Sequence, residues 1–294
     1  MKGIILAGGA RTRLYPLTKV TSKQLLPIYD KPMIYYSLST LMLAGIRDIL
    51  LISTPEDIGN FKRLLGNGEN LGIHLSYAVQ NTPEGIAQAF LIGEEFVEKE
   101  PCALILGDNF FYGGWFSHNL ENAIINAENG DATIFAYYVK DPQRFGIVEF
   151  DDNQNVLSVE EKPLNPKSNY CITGLYFYPE DVCEKAKQVR PSARGELEIT
   201  ELNRLYLEEN RLRVQVLGRG FAWMDTGTID SLMETAAFVQ AVQNRQGVVI
   251  SAPEEIANIN KWIDRTVLMR SASAYGKSPY GEHLKAVAEG RFRY

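Results

Sequence analysis

The chain has 294 residues, of which 45% are hydrophobic and 22% are charged, and its formal net charge is -6 at pH 7. This is the composition of a globular protein with a large core, and the acidic balance argues against broad binding of nucleic acid or of an anionic membrane surface. No apolar run approaches the ~20 residues of a membrane span. We therefore expect a cytoplasmic protein with neither nucleic acid nor a membrane as its partner.

The first half of the chain alternates between two kinds of apolar pattern. Strand-like runs read GIILA, DILLIST, LSYAVQ, CALILGD and ATIFAYYV, and the segments of helical period between them include MIYYSLSTLMLAGI and GIAQAFLIGEEFV. Strands that are separated by helices predict an α/β fold with a doubly wound, mostly parallel, Rossmann-like sheet.

The second half extends this pattern and then becomes helical. IVEF, SVEEKP and CITGLYFYP predict further strands that lengthen the sheet and cover its cleft, and CITGLYFYP is apolar enough to be buried on both faces. After residue 225 the pattern is helical, as in SLMETAAFVQAVQNRQG and APEEIANINKWIDRTVL. We place the boundary between a main domain of residues 1–235 and a helical extension of residues 236–294.

The loop after the first strand reads LAGGARTRLYPLT. A glycine-rich turn between a strand and a helix exposes backbone N–H groups and the positive end of the helix, so it can cradle phosphates. Arg13 and Lys23 would add the charge that a triphosphate needs. Taken alone, the loop is equally compatible with a tight turn that carries a surface arginine.

A longer match removes much of that ambiguity. Residues 6–32, LAGGARTRLYPLTKVTSKQLLPIYDKP, resemble the signature of the sugar-1-phosphate nucleotidyltransferases, which is LAGG-x-G-TRL-x-PLT followed by K-x-LLP and KP. The resemblance continues through QNTPEGIAQAF, LGDNFFYG, RFGIVEFD, EEKP, GELEIT and FAWMDTGT, and it is closest to the glucose-1-phosphate thymidylyltransferases. It implies a nucleotidyltransferase fold with a sugar-binding subregion, and a C-terminal extension that serves assembly and regulation of a homotetramer.

The resemblance also implies a reaction, in which dTTP and α-D-glucose 1-phosphate give dTDP-glucose and pyrophosphate at the start of dTDP-rhamnose or related deoxysugar synthesis. An ionised phosphate oxygen attacks the α-phosphorus in line, so no side-chain nucleophile is needed. Negative charge must be balanced, and Mg²⁺ held by carboxylates is the usual means. Two alternatives stay open: a UTP-using sugar nucleotidyltransferase, and a weakly active paralogue that binds nucleotide sugars.

Two aspartates are the candidate Mg²⁺ ligands. Asp108 ends the run CALILGD and should project from the carboxyl end of a strand, where ligands bind in doubly wound sheets. Asp225, in WMDTGT, is the second ligand that the resemblance implies. As alternatives, Asp108 could be a turn or capping residue, and Asp225 could cap the helix that follows it.

The resemblance assigns the remaining site residues. Lys23 contacts the nucleotide phosphates, Arg13 holds the triphosphate and the leaving pyrophosphate, and Lys162 holds the sugar phosphate, although Lys162 could instead form an ion pair within EEKP. The nucleotide-binding positions, of which the last two read the pyrimidine edge, are Leu6, Gly8, Gly9, Gln24, Gln80 and Gly85. The sugar-binding positions, with a flat apolar face on the tryptophan, are Asn109, Gly146, Glu161, Ile172 and Trp223.

The sequence departs from the family pattern at three positions that bear on function. Arg11 stands where the family has glycine, and its side chain could swing out, add a contact to the triphosphate or fill the site. Trp115 and Ile259 stand where glycine and arginine are more common, near regions that form a regulatory nucleotide site between subunits in this family. Regulation by a dTDP-sugar is therefore left open.

The cysteines and histidines predict no further chemistry. An odd number of cysteines without a CxxC pair indicates reduced packing residues: Cys102, Cys171 and Cys183. The histidines lie in no catalytic motif and are interpreted as surface or packing residues: His74, His118 and His283.

Overall fold

The structure is a computed structural model that describes residues 1–9 and 12–292. Its strands are β1 Lys2–Ala7, β2 Pro27–Ile28, β3 Lys31–Pro32, β4 Asp48–Ser53, β5 His74–Val79, β6 Cys102–Leu106, β7 Asn109–Tyr112, β8 Ala132–Tyr138, β9 Gly146–Phe150, β10 Val156–Glu161, β11 Tyr170–Tyr178, β12 Leu212–Leu217 and β13 Ala222–Asp225. Its α-helices are α1 Ile34–Leu43, α2 Ile58–Leu65, α3 Gln88–Ile92, α4 Glu94–Val97, α5 Phe116–Glu128, α6 Val182–Ala186, α7 Ile199–Glu208, α8 Ile229–Gln246, α9 Pro253–Ile259, α10 Arg265–Ala274 and α11 Pro279–Ala288.

One large sheet organises the molecule. Its main path runs β10-β9-β11-β6-β1-β4-β5, and β8 pairs with β11 and with β12. The strands β6, β1, β4 and β5 are parallel, because each is separated from the next by at least one helix that crosses over. In contrast, β9 and β10 are joined by a short turn and pair antiparallel. The predicted α/β fold with a mostly parallel sheet is confirmed.

The central strands bury both faces, with successive side chains entering different clusters. Ile5 of β1 packs with Leu38 of α1 and its neighbours, whereas Ile4 packs in a second cluster that contains Phe90 of α3. The strand β11 is buried over nearly its whole length, as its sequence predicts. The three cysteines are buried free thiols that belong to these clusters, which confirms their interpretation as packing residues.

The C-terminal helices lie against the main sheet domain. Helix α9 packs on α1, and α10 packs on α11. Helix α8 begins at a capping box, in which the Thr228 side chain accepts a hydrogen bond from the backbone N–H of Ser231 at 3.1 Å. It continues through residue 235, so the division into residues 1–235 and 236–294 falls inside a helix and stays a prediction.

Polar contacts join the extension to the main domain: Lys31 Nζ lies 5.8 Å from the centre of the Tyr280 ring, and the Tyr35 and Tyr275 hydroxyls are 3.4 Å apart. The Glu254 carboxylate accepts hydrogen bonds from the hydroxyls of Tyr275 at 2.7 Å and Tyr280 at 2.6 Å. Lys31 Nζ lies 2.6 Å from the Asp30 carboxylate and 4.8 Å from the centre of the Tyr36 ring. We call Asp30, Lys31, Glu254, Tyr275 and Tyr280 the C-terminal junction. Among the described helices, none combines the length and the apolar character needed to cross a bilayer.

Candidate active site

A small two-stranded sheet brings the two candidate carboxylates together. Strands β7 and β13 pair antiparallel, and their register sets Asn109 opposite Asp225. Asp108 directly precedes β7, so it lies beside Asp225 at the carboxyl edge of the main sheet. The Thr226 hydroxyl donates to the Asp108 carbonyl at 2.8 Å and fixes its backbone. This geometry explains how residues 117 positions apart come to face one cleft.

Lys23 meets Asp108 in the cleft. Its ammonium group forms a hydrogen-bonded ion pair with Asp108 Oδ2, and the side chains are 21% and 12% exposed respectively. Burial alone would raise the pKa of Asp108, but the positive charge and hydrogen bond of Lys23 outweigh it and hold that pKa below the ordinary value. Burial likewise works to lower the pKa of Lys23, and the Asp108 carboxylate overrides it, so that this pKa is raised.

The pKa of Asp225 is shifted in the opposite direction to that of Asp108. Burial and the negative charge of Asp108 raise the pKa of its carboxyl group to about 6, and Lys23 and Arg13 offset this only in part. Gly227 leaves room beside it, because a Cβ atom built there would lie 3.2 Å from either Asp225 carboxylate oxygen. A nearby pair of carboxylates, one of which ionises with difficulty, is a donor set that suits a divalent cation such as Mg²⁺.

Asp225 does not cap the following helix. The cap of α8 is the Thr228 side chain, three residues further on. Asp108 likewise caps no helix and lies between β6 and β7. The capping alternatives for both aspartates are therefore removed, whereas the alternative of a turn residue describes the position of Asp108, which lies in the turn between β6 and β7.

A cavity of about 380 Å³ opens above the two aspartates. It is lined by the three predicted cationic side chains, Arg13, Lys23 and Lys162. The cavity wall also includes every residue that the sequence assigned to the sugar: Asn109, Gly146, Glu161, Ile172 and Trp223. The structure therefore brings together the predicted cations, the predicted carboxylates and the predicted sugar-binding residues.

Glu161 is the centre of a polar network on the sugar side. It accepts a hydrogen bond from the Thr200 hydroxyl at 2.5 Å and forms ion pairs with Lys162 at 3.2 Å and Arg194 at 3.1 Å. The alternative of an ion pair within EEKP is thus present, yet Lys162 still lines the cavity. Gly146 keeps this wall open, because a Cβ atom there would lie 3.3 Å from Glu161 Oε2.

Sequence reasoning missed two cationic side chains that line the same cavity. Arg194 directly precedes the quoted segment GELEIT, and Arg144 opens the quoted segment RFGIVEFD. Both lie in stretches that carried the resemblance, so their charge next to those motifs was the signal that could have identified them. Arg144 also lowers the pKa of Asp225 through its positive charge, although less than Lys23 and Arg13 do.

The nucleotide-side glycines lie close to the predicted base-reading residue. A Cβ atom at Gly8 would fall 2.3 Å from Gln80 Oε1, and Gly9 has a φ of +103°, which glycine adopts without strain. Gln80 is buried and donates from Nε2 to Gln88 Oε1 at 2.6 Å. Gly85 has a φ of +106° and a Cβ atom there would lie 2.4 Å from the Leu197 carbonyl oxygen. Only glycine fits at position 85, where the approach is to the backbone of Leu197, whereas at Gly8 the contact is with the flexible end of the Gln80 side chain.

The other two nucleotide-side positions support the loop from below. Leu6 belongs to β1, between Ile52 of β4 and Leu106 of β6. Gln24 is buried, donates to the Gly8 carbonyl oxygen at 3.4 Å and accepts from the Ser22 hydroxyl. Arg11, the departure in the middle of this loop, lies outside the described residues.

Trp223 lines the cavity and also makes contacts that the sequence did not predict. It is buried, and its rim is in contact with Tyr137 and Phe145 in edge-to-face geometry. Its indole Nε1–H donates to Asn109 Oδ1 at 2.7 Å. The prediction of a flat apolar face overlooked this donor, because a buried indole N–H needs an acceptor and periodicity does not identify which one.

Trp115 and Ile259 line a separate cavity of about 740 Å³. Trp115 has a φ of +66° and its side chain is 85% exposed, so its backbone has the conformation that glycine prefers. His118 and Glu255 lie on the same cavity. The structure therefore confirms that the two departures share one surface, and it leaves regulation untested.

Known proteins support the family resemblance. The family model for nucleotidyl transferases matches residues 2–242. A curated glucose-1-phosphate thymidylyltransferase from Neisseria meningitidis is 59% identical over 284 residues, which are 97% of this chain and 98% of that protein. One from Mycobacterium tuberculosis strain H37Rv is 54% identical over 289 residues, which are 98% of this chain and 99% of that protein.

Solved structures show the same fold. A Bacillus anthracis protein assigned as a glucose-1-phosphate thymidylyltransferase, in complex with sucrose, superposes with a TM-score of 0.74 at 40% identity. The match covers 81% of this chain and 94% of that one. A UDP-glucose pyrophosphorylase in complex with UDP-glucose gives a TM-score of 0.70 at 23% identity and supports the fold alone.

Proposed function

The chain belongs to the nucleotidyl transferase family, and from that premise we propose that it joins dTTP and α-D-glucose 1-phosphate into dTDP-glucose and pyrophosphate. The observation that carries this proposal is one cavity that Asp108 and Asp225 line together with five cationic side chains: Arg13, Lys23, Arg144, Lys162 and Arg194. Relatives at 59% and 54% identity carry the name of this activity. Formation of dTDP-glucose also assigns the chain to nucleotide-sugar synthesis.

The reaction requires the approach of two anions, and the cations of the cleft serve that approach. A phosphate oxygen of the sugar attacks the α-phosphorus, a new P–O bond forms, and the bond to the β-phosphate oxygen breaks as pyrophosphate leaves. Lys162 and Arg194 hold the sugar phosphate, and Arg13 balances the charge that accumulates on pyrophosphate. Lys23 moves between Asp108 and the nucleotide phosphates, because its ammonium group already reaches the cleft.

Asp108 and Asp225 are the residues that would hold Mg²⁺. When bound, Mg²⁺ supplies positive charge to phosphate oxygens and favours an in-line arrangement of the attacking and leaving groups. The raised pKa of Asp225 supports this assignment, because a cation at that position removes the cost of ionising a buried carboxyl group.

The sugar pocket lies on the side of Glu161. Its carboxylate is oriented by Thr200 and Arg194, and it can accept hydrogen bonds from sugar hydroxyls. Gln80 and Gly85 read the pyrimidine edge on the opposite side, next to the open backbone of Gly8 and Gly9. A UTP-using enzyme is the second candidate within this chemistry, because one methyl group in a pocket gives only about 1–3 kcal/mol of discrimination.

The assembly and its regulation belong to this proposal as well. We expect a cytoplasmic homotetramer, because exposed apolar side chains cluster at the cavity of Trp115: Leu43, Trp115 and Ile259. A dTDP-sugar regulator would bind on the same surface. Light scattering of the purified protein tests the assembly, and inhibition by downstream dTDP-sugars tests the regulator.

The experiment that tests the activity is Mg²⁺-dependent release of pyrophosphate from dTTP and glucose 1-phosphate. We expect turnover by the wild type, a higher kcat/KM for dTTP than for UTP, and loss of turnover in Asp108→Asn. An Arg11→Gly variant is assayed beside them, since the position is glycine in the family pattern. If only Arg11→Gly turns over, Arg11 blocks the enzyme; if neither does, the binding-protein alternative is favoured.

A further inference from the structure

Asn109 is a direct neighbour of both candidate metal ligands. It follows Asp108 in the chain, pairs with Asp225 across the β7–β13 ladder and is 4% exposed. Its Oδ1 atom accepts hydrogen bonds from Trp223 Nε1 at 2.7 Å and from the Gly174 backbone N–H at 2.9 Å. Its Nδ2 atom donates to Asp108 Oδ1 at 3.1 Å.

These partners allow only one orientation of the amide. Trp223 Nε1–H and the Gly174 N–H are obligatory donors, so the atom that they share must be the amide oxygen. The NH₂ group must then face Asp108. If the amide were rotated by 180°, NH₂ would face two donors and the amide oxygen would face a carboxylate oxygen, so the hydrogen bonds between these buried groups would be lost.

Gly174 makes the space that this amide occupies. A Cβ atom at position 174 would lie 2.7 to 2.8 Å from three atoms of the Asn109 side chain. The pairing of β11 with β8 shifts register between Ile172 and Tyr176, and Gly174 lies in this interval. The irregular ladder and the missing side chain together let a backbone N–H point at the side chain of Asn109.

We infer that Trp223 and Gly174 form a clamp on the Asn109 amide, and that Asn109 is a positioning residue for the Asp108 carboxylate. Asp108 is then held at both oxygens, by Asn109 at Oδ1 and by Lys23 at Oδ2. When the proposed cation binds, Lys23 can leave while Asn109 keeps the carboxylate plane in place. This role rests on the proposed function and differs from the sugar contacts that the resemblance implies for Asn109 and Trp223.

The probe for this role is Mn²⁺ alone, titrated into the full-length protein without substrates and followed by the electron paramagnetic resonance signal of free Mn²⁺. We expect a site that is lost in Asp108→Asn. Trp223→Phe removes the N–H and keeps the ring, and we expect its Mn²⁺ affinity to fall about tenfold, as for partners that orient metal ligands. Trp262→Phe, at a partly buried indole far from the cleft, is the matched control and should keep the wild-type affinity.

Two further variants separate positioning from folding. Asn109→Leu removes the donor to Asp108 at similar volume, and Gly174→Ala displaces the amide by steric contact; both should weaken Mn²⁺ binding about as much as Trp223→Phe. Thermal unfolding of each variant identifies the folded samples on which the titration is performed. Unchanged Mn²⁺ affinity in folded Trp223→Phe and Asn109→Leu overturns the inference, as does a wild-type site that does not depend on Asp108.

Sugar binding gives a separate signature. If Trp223 served only the sugar, Trp223→Phe would raise the KM for glucose 1-phosphate and leave Mn²⁺ affinity unchanged, which again overturns the inference. Failure of the proposed function is recognised differently, because the wild type would then release no pyrophosphate while the Mn²⁺ titration, which needs no turnover, still reports on the clamp.

Discussion

The cleft and the C-terminal junction both bury charged groups, but they treat them in different ways. At the junction, Lys31 lies 2.6 Å from the Asp30 carboxylate, and Glu254 accepts two tyrosine hydrogen bonds of 2.6 and 2.7 Å. In the cleft, the two carboxylates Asp108 and Asp225 share a cavity, and the pKa of Asp225 is raised to about 6 by burial and by its neighbour. The junction therefore gives its buried charged groups close polar partners, whereas in the cleft Asp108 is paired with Lys23 and the folded protein resists the ionisation of Asp225.

This difference separates residues that serve stability from residues that serve function. A buried ion that has lost its partner destabilises a fold, so a chain selected for stability alone would pair or remove it. Asp225 keeps a carboxylate whose ionisation the folded protein resists. Such a residue makes physical sense when a ligand supplies the missing charge, and the following changes test that reasoning.

The largest effect is expected from Asp225→Asn, which replaces the carboxyl group of raised pKa with a neutral amide of the same shape. If Asp225 holds the cation, kcat should fall by about 10³-fold or more, because transition-state charge is no longer balanced. The measurement is pyrophosphate release at saturating substrates. Asp152→Asn, in an exposed turn, removes a charge elsewhere and should leave kcat unchanged. Near-normal turnover in Asp225→Asn would remove this residue from the metal site.

At the junction, Glu254→Gln should reduce stability without reducing chemistry. Glu254 is 5% exposed, and its loss as a charge weakens two tyrosine hydrogen bonds and the field around buried Lys31. We expect the free energy of unfolding to fall by about 2–3 kcal/mol in urea titrations. The exposed Glu282→Gln is the control. A drop in kcat per folded molecule would contradict the separation of the two regions.

The pH dependence of the free energy of unfolding should report the raised pKa of Asp225 directly. The folded pKa of Asp225, about 6, lies above the ordinary value of 3.8, so the folded protein holds a proton that the unfolded chain releases between these pH values. Stability contributed by the protonated group is therefore lost as the pH rises from about 4 to about 6. In EDTA, Asp225→Asn should be more stable than the wild type at pH 7.5, by up to roughly 3 kcal/mol, and equal to it below pH 4.

A divalent cation should make the wild type more stable than Asp225→Asn. Mg²⁺ that binds the folded wild type stabilises it by mass action, whereas Asp225→Asn gains little. Thermal unfolding of both proteins is measured with and without Mg²⁺, at pH 5 and at pH 7.5. The result is the difference in stability between the two proteins under each of these four conditions. A gap between the two proteins that is the same at both pH values would show that the carboxyl group titrates as an ordinary aspartate.

The same contrast explains what the sequence could predict. The site role of Asp108 could be predicted because strand periodicity places this residue at the carboxyl edge of the sheet. That of Asp225 could be predicted because the residue lies in a long family motif. The hydrogen bond from Trp223 to Asn109 could not be predicted, because it depends on the register of β7 with β13, which no local pattern encodes. Lys31 and Asp30 of the junction are neighbours in sequence, but the burial of Lys31 beside the Tyr280 ring of α11 is a tertiary property.

The glycines of the first loop give the smallest effect and sharpen the account of the cleft. Gly8→Ala places a methyl group where the Gln80 amide oxygen now lies, 2.3 Å from the Cβ position. Because Gln80 can move at its flexible end, we expect a stability loss of only about 1 kcal/mol. The KM for dTTP should nevertheless rise about five- to tenfold, because the amide is displaced from the base-reading position.

The control for this change is Gly59→Ala, since a Cβ atom on that helical glycine would meet nothing within 4 Å. It should leave the KM for dTTP unchanged and stabilise α2 slightly, because alanine is the better helix former. The KM for glucose 1-phosphate should stay constant in both variants, because the proposed role of Gly8 is in nucleotide binding and not in sugar binding. If Gly8→Ala raised the two KM values equally, the loop would act on the whole cleft, and its open backbone would serve folding of the site instead of recognition of the base.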